Sequence, residues 1–234
     1  ERPAIDPTAH SLMHALQAAL QERAQSALRA ARLEPLTLPQ CTAISLFLLN
    51  ADFSSAALTP EEMDAAMNMP CYWLFCWASG QVLASHILEH PELVQGKTVA
   101  DFGAGSGVVA IACALAGAHK VYACDIDEDA RHACLLNAAL NKVDLQTVCS
   151  LDEITEKLDL VTVADVLYDR DNLPLLPMFL RHAPHVLLAD SRLRNMPDST
   201  YRLLEERASS TLPDLDEHAE FRRVRVYQAS SVTT

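Results

Sequence analysis

Val99-Ala100-Asp101-Phe102-Gly103-Ala104-Gly105-Ser106-Gly107, followed by the apolar run from Val108 to Leu115, decides the fold. It reads as a short buried strand, a glycine-rich turn and the opening of a helix. Glycines at every second position let the backbone turn sharply and approach a ligand with no side chain in between. The N–H groups exposed at a helix start face whatever lies there. The chain has only six glycines in 234 residues, so three of them within 103–107 mark a place where a ligand needs them. This is the first half of a nucleotide-type binding unit.

Working outward, strand patterns at 98–102, 120–125, 146–149, 158–164 and 185–189 alternate with helix patterns at 107–116, 128–141, 151–156 and 173–181. Such alternation specifies an α/β domain, a parallel sheet wound on both sides. The tail departs from it: a helix near 199–209, a Pro-containing acidic loop, then a strand over 222–228. Upstream, Leu12, Leu16, Leu20, Ala24 and Leu28 recur every fourth residue, which predicts an amphipathic helix over 8–32. Pro35 and Pro39 break it, and the apolar run 44–49 reads as a short strand. Thr59-Pro60-Glu61-Glu62 is a capping box that opens a helix to about Asn68. A further helix covers 81–90 and stops at Pro91. Residues 1–69 thus form an N-terminal extension to a domain spanning 70–234.

Half the residues are hydrophobic, enough for a sizeable core, and the net charge is −13. A field of that sign repels nucleic-acid phosphates and suits a basic protein partner or a small ligand. The seven cysteines show no C-x-x-C spacing, and Cys113, Cys124 and Cys134 sit in apolar surroundings. They read as reduced core residues of a cytoplasmic protein, with neither metal nor disulfide. No apolar stretch approaches the roughly 20 residues of a membrane span. No secretory signal is visible, although a start at Glu1 without Met fits removal of a leader.

The chemistry lies at the carboxyl ends of the strands, where ligands bind in open α/β sheets. Asp101 ends the first of these strands and can accept hydrogen bonds from a cationic ammonium group or, through water, from the glycine loop. Asp125, about 20 residues past the loop, has the spacing of an acid that binds a ribose diol. Ile126 then lies along an adenine edge, and Asp127 caps the following helix. Gly105-Ser106-Gly107-Val108-Val109-Ala110 also fits the dinucleotide fingerprint, so NAD competes on spacing alone. The strand 160–164 leads into Asp165-Val166-Leu167-Tyr168, an acid and an aromatic hydroxyl placed to position an amine and shape a narrow channel. Both tryptophans fall in Tyr72-Trp73-Leu74-Phe75-Cys76-Trp77-Ala78-Ser79-Gly80-Gln81. Trp77 reads either as aromatic core packing or as a lid over a flat ligand ring.

With these residues in place, 97–190 resembles the class I, seven-β-strand S-adenosylmethionine-dependent methyltransferases. Val99–Gly107 matches their first motif and Asp125 their ribose-binding acid. Trp77 and Gly80 upstream, with Asp165-x-x-Tyr168, look like the protein-lysine methyltransferases of that superfamily. The segment Tyr72–Gln81 is most similar to the methyltransferases of the electron transfer flavoprotein β-subunit, which in turn resemble the ribosomal-protein methyltransferases. The resemblance implies a Rossmann-like, doubly wound seven-stranded sheet, mostly parallel with an antiparallel C-terminal strand, plus an N-terminal helical extension. It implies S-adenosyl-L-methionine as cofactor, held by Trp77, Gly80, Asp101, Gly103, Ala104, Gly105, Gly107, Asp125, Ile126 and Asp165. Ser150, Leu151 or Asp152 stands at the adenine-amine position. It implies Asp165 and Tyr168 as catalytic residues and a protein acceptor such as the flavoprotein β-subunit or a ribosomal protein, with no nucleic acid or membrane partner.

Departures from the pattern bear on the acceptor. Ala104 replaces the Cys or Ser of many relatives, and Asp190-Ser191-Arg192 stands where flavoprotein-type enzymes tend to have Asp-Pro-Gly-Arg. Neither the Asn-Pro-Pro-Tyr of glutamine and nucleobase methylation nor the paired glutamates of arginine methylation is present. A small-molecule methyltransferase with the first 65 residues as a lid, a non-catalytic adenosyl-binding module and an NAD oxidoreductase are the competing readings.

Overall fold

The computed structural model describes residues 7–53, 59–61, 70–215 and 218–231. The expected helix over 59–68 lies largely outside them.

Helix α1 (Pro7–Ala27) is shorter than its periodicity predicts. The Gln21 side chain ends it: its amide donates to the Ala31 carbonyl at 2.8 Å and accepts from the Leu33 N–H at 2.8 Å, turning the chain back. Leu20, Ala24, Ala27 and Leu28 pack against Trp73, Leu74 and later helical residues, while Leu12 stays exposed. Strands β1 (Leu33–Thr37) and β2 (Ser45–Leu49) form an antiparallel pair, so the extension is a helix plus a hairpin. Pro35 and Pro39 are not what ends the helix, which stops at Ala27, and Pro35 lies inside β1. It faces Phe47 in a strand that pairs on one side only, where a missing N–H costs little.

Helix α2 (Ala78–Glu89) leads to β3 (Thr98–Phe102), α3 (Val108–Leu115), β4 (Lys120–Cys124), α4 (Glu128–Leu140), β5 (Gln146–Val148), β6 (Leu160–Ala164), α5 (Leu175–His182) and β7 (His185–Asp190). Strands β8 (Arg202–Ala208) and β9 (Arg223–Ser230) complete a seven-stranded sheet in the order β5-β4-β3-β6-β7-β9-β8. Strands β3 to β7 are parallel, and β9 runs antiparallel to both β7 and β8. Neighbouring residues on each strand serve opposite faces. Val99, Leu160 and Leu187 join α2, α3 and the hairpin residues Leu46 and Leu48, whereas Ala100, Val161 and Leu188 join Leu176 and Phe179 of α5.

The expected helix near 199–209 is strand β8. Leu203, Leu204, Glu205, Glu206 and Arg207 are strong helix formers, but the stretch is an edge strand. Glu206 pairs with Arg225 at 2.9 Å and Arg223 at 3.2 Å across to β9. Charges on an edge strand also discourage pairing with other chains.

The sheet winds away from β3 in both directions, with β4 and β5 on one side and β6 and β7 on the other. The crevice between the carboxyl ends of β3 and β6 is the topological switch point, where such sheets bind ligands.

Candidate active site

The glycine turn after β3 is built for close approach. Gly103 and Gly105 have φ of +70° and +53°, and a Cβ on Gly103 would lie 2.7 Å from Val166 Cγ2. The Gly103 and Ala104 N–H groups donate to the Cys124 carbonyl at 2.8 and 3.1 Å, tying the turn to β4. Gly107, φ +84°, precedes α3, and a Cβ there would fall 3.1 Å from the Cys134 Cα, so it seats the loop on α4. Beneath it the buried Asn137 donates to the Ser106 carbonyl at 2.8 Å and accepts the Phe47 N–H at 2.7 Å. Asn141 brackets Ser45, accepting its N–H at 3.0 Å and donating to its carbonyl at 2.7 Å. One side chain thus joins the loop floor, α4 and the free edge of β2.

Expected site residues Trp77, Gly80, Asp101, Gly103, Ala104, Gly105 and Asp165 line a single recess at the switch point, together with Ser106, Val108, Val109 and Ala164. The recess has about 320 Å³ of free space including its open mouth. Gly107, Asp125, Ile126, Ser150, Leu151 and Tyr168 lie outside that lining.

Asp101 is 2% exposed. Its carboxylate accepts from the Thr162 hydroxyl at 2.8 Å and the Ala110 N–H at 3.2 Å, not from the glycine loop. Burial pushes its pKa up to about 7, against those two bonds. Asp125, at the end of β4, accepts from Gly105 N–H at 2.9 Å and Asp127 N–H at 3.0 Å, and burial raises its pKa as well. Asp127 caps α4 through the Asp129 N–H, as expected. Ile126 is 88% exposed beside them, and Arg131 braces this turn by donating to the Asp125 carbonyl at 2.7 Å. Ser150 caps the short turn Leu151–Glu153 by accepting the Asp152 N–H. Leu151 is buried in the same core cluster as Tyr122 and Cys124, and its carbonyl accepts the Ile154 N–H.

Asp165 has φ +54°, a left-handed conformation rare for a residue with a side chain. Its Oδ2 accepts from the Ser79 N–H at 3.0 Å and the Gly80 N–H at 3.3 Å, and its Oδ1 from the Ser79 hydroxyl. The carboxylate therefore caps α2 across the fold, where Trp77, the N-cap residue, makes no side-chain cap. The positive end of the helix favours its charged form. Burial and the nearby Asp190 outweigh these bonds and raise its pKa to about 7. Gly80 lets α2 pack closely on α3, since a Cβ would sit 3.0 Å from Val108 Cγ1.

Trp77 is both packed and part of the lining. Its ring meets Tyr72 edge-on at 5.9 Å and Phe75 at 5.5 Å, and its indole N–H donates to the Tyr72 carbonyl at 3.0 Å. Tyr168 is mostly exposed and tilts against Tyr72 at 6.1 Å, which joins it to the aromatic cluster whose Trp77 lines the recess. Sequence reasoning missed Ser79, Thr162 and Tyr72. The small pair Ser79-Gly80 at a helix start was the available signal.

Among the described residues no group of His, Cys, Asp or Glu is arranged to hold a metal, no helix is long and apolar enough to cross a membrane, and all seven cysteines are free.

Comparison with known proteins places this architecture. The profile of the ribosomal protein L11 methyltransferase family matches residues 82–173. The electron transfer flavoprotein beta subunit lysine methyltransferase of Homo sapiens is 35% identical over 138 residues, 50% of this chain and 52% of that protein. Against this human relative, the chain spans about half its length. The rat protein of the same name is 31% identical over 185 residues, 69% of this chain and 72% of its own. Among solved structures, the ribosomal protein L11 methylase of Lactobacillus delbrueckii subsp. bulgaricus superposes with a TM-score of 0.50 at 25% identity, over 65% of this chain and 79% of that one. With the sheet order, the glycine turn and these relatives together, the chain belongs to the family of the electron transfer flavoprotein beta subunit lysine methyltransferases.

Proposed function

We propose that this protein transfers a methyl group from S-adenosyl-L-methionine to lysine side chains of a protein substrate. The observation that carries the reading is the recess at the switch point, where a glycine turn, the buried carboxylate of Asp101 and the half-buried carboxylate of Asp165 converge. The residues fit the cofactor. Asp101 is a buried acid whose two hydrogen-bond partners are both neutral, a cradle for an ammonium group. Gly103 lines the recess with bare backbone at φ +70°, where a Cβ would collide with Val166.

When bound, S-adenosylmethionine supplies an electrophilic methyl on a sulfonium, already a good leaving group. Asp101 holds the ammonium end. Asp125 takes the ribose hydroxyls with lone pairs left over from its bonds to Gly105 and Asp127. Ile126 offers an apolar face to the adenine, with Ser150, the Leu151 main chain or Asp152 at its amine. Trp77, Gly80, Ala104, Gly105 and Gly107 shape the donor site. On the acceptor side, a lysine ammonium with an ordinary pKa near 10.4 must lose a proton before it reacts. Asp165 orients that amine in a dry setting, Tyr168 walls its approach, and the proton leaves through water. Alignment of the amine with the methyl carbon accounts for much of the rate.

Residues 70–234 form the methyltransferase domain in this reading, with 1–69 packed on it as an extension. The acceptor is a protein of the kind named for the relatives, the electron transfer flavoprotein beta subunit or a ribosomal protein. The net charge of −13 supports a basic protein surface over a nucleic acid or an anionic membrane. Seven free cysteines support a cytoplasmic setting. Incubation of cell lysate with enzyme and labelled cofactor, followed by mass spectrometry, is expected to find label on lysine. Label confined to small molecules, or no label with tight cofactor binding, refutes the proposal.

A further inference from the structure

The carboxylate of Asp165 is held more firmly than helix capping requires. Ser79, fully buried in the first turn of α2, reaches it twice, through its N–H to Oδ2 and its hydroxyl to Oδ1. The Gly80 N–H completes Oδ2 at 3.3 Å. Capping the helix needs only these two backbone donors; the Ser79 hydroxyl adds nothing to it. What the hydroxyl does is stop the carboxylate from rotating about its own axis and define which lone pair stays open. Each carboxylate oxygen offers about two acceptor positions. Both are taken at Oδ2. At Oδ1 one goes to Ser79, and the other faces the Ser191 hydroxyl at 3.5 Å, the outer limit of a hydrogen bond. Ser191 follows directly on β7, so this weakly held position lies between the ends of β6 and β7.

We propose that Ser79 is the positioning residue of the acceptor site, clamping Asp165 so that the lysine amine meets Oδ1 on the side now facing Ser191. The assignment rests on the reading of Asp165 as the acceptor-side acid. An incoming amine displaces a 3.5 Å contact and leaves three stronger ones in place, so the acid is set before the substrate arrives. The same carboxylate starts α2, whose first turn carries Gly80 in the donor recess. Ser79 thereby keeps acceptor and donor sites in register. The titratable group that raises the Asp165 carboxyl is Asp190 at the end of β7, while the buried Cys76 thiol just before α2 is itself pushed up in part by Asp165.

Ser79→Ala and Ser79→Thr test this, each measured beside the parent protein. Loss of the hydroxyl removes a bond to the charged form, so the Asp165 carboxyl, followed by ¹³C NMR in the ligand-free protein, is expected to titrate about one pH unit higher in Ser79→Ala. The acid limb of the kcat profile should move with it. At neutral pH kcat should fall about tenfold or more, as misalignment at a reacting centre does. Affinity for S-adenosylhomocysteine should hold, and Ser79→Thr, which keeps the hydroxyl, should restore both titration and kcat. An unmoved titration with unchanged kcat overturns the assignment. So does a loss of S-adenosylhomocysteine affinity in proportion to kcat, which makes Ser79 a residue of the donor side. A parent protein that methylates no lysine overturns the functional reading itself, which separates the two failures.

Discussion

Replacing Asp101 by Asn exchanges a buried carboxylate for a neutral group of the same shape, and the structure sets the size of the effect. Burial lifts the Asp101 carboxyl from 3.8 to about 7. The folded state therefore holds this proton more tightly than the unfolded chain does. Stability from this group is intact below the unfolded value and is lost as pH rises through the window between the two. A rise of about three pH units at about 1.36 kcal/mol each makes the ionised side chain cost about 4 kcal/mol by pH 8. Asn avoids that cost. Its amide nitrogen cannot accept, however, so one of the bonds from Thr162 and Ala110 must be reversed or lost, at about 1–2 kcal/mol. The net expectation is a gain of about 2 kcal/mol at pH 8, roughly 4–8 °C in Tm for a chain of this size. Near pH 4 the folded parent is already protonated, the gain disappears and only the cost of the altered bond remains, so the variant should melt at or below the parent. Differential scanning calorimetry of both ligand-free proteins at the two pH values measures this directly. A second scan with S-adenosylhomocysteine should show the ligand-induced rise in Tm for the parent and none for Asp101→Asn. A variant that melts below the parent at pH 8, or gains equally at both pH values, refutes the reasoning.

Three further outcomes are expected. Gly107→Ala forces a side chain into φ +84° and against the Cys134 backbone 3.1 Å away, so thermal melts should show a loss of about 2–4 kcal/mol. Asn137→Ala strips a donor from the Ser106 carbonyl and an acceptor from the Phe47 N–H; it should cost about 2–3 kcal/mol, and hydrogen exchange should show faster loss of the Phe47 amide proton. Tyr168→Phe keeps the aromatic ring and should retain most methyl transfer, whereas Tyr168→Ala should lower kcat with S-adenosylhomocysteine affinity unchanged, read by a radiolabel transfer assay.

The elements legible in the sequence are those whose cause is local. Strand β3 shows as a short apolar run ending in an acid, and its bounds match. The cap at Asp127 and the glycine turn follow from residues a few positions apart. Asp125 shows through a fixed spacing, because it reaches Gly105 across a single strand–helix–strand unit. Strand β8 was hidden because Leu, Glu and Arg favour helix, while what decides it is β9, which follows later in the chain and supplies Arg225 and Arg223. Asp165 shows as an acid at a strand end, but its grip on α2 spans 86 positions of sequence, and no pattern announces it. The same holds for Asn137, whose neighbours in the helix are ordinary and whose partners lie in a hairpin 90 residues earlier.

The clamp by Asn137 and Asn141 has a consequence for anyone who recombines this family. The hairpin β1–β2 looks like a module that can be exchanged between relatives, since it precedes every sheet strand of the main domain. Yet its free edge is read by two side chains of α4, one of which also supports the glycine loop. A chimera that brings in a foreign hairpin with a shifted register offers Asn137 the wrong backbone atom and tilts the floor under Ser106. Transplants should therefore carry the hairpin and α4 as one inheritance unit, with the crossover placed after residue 141.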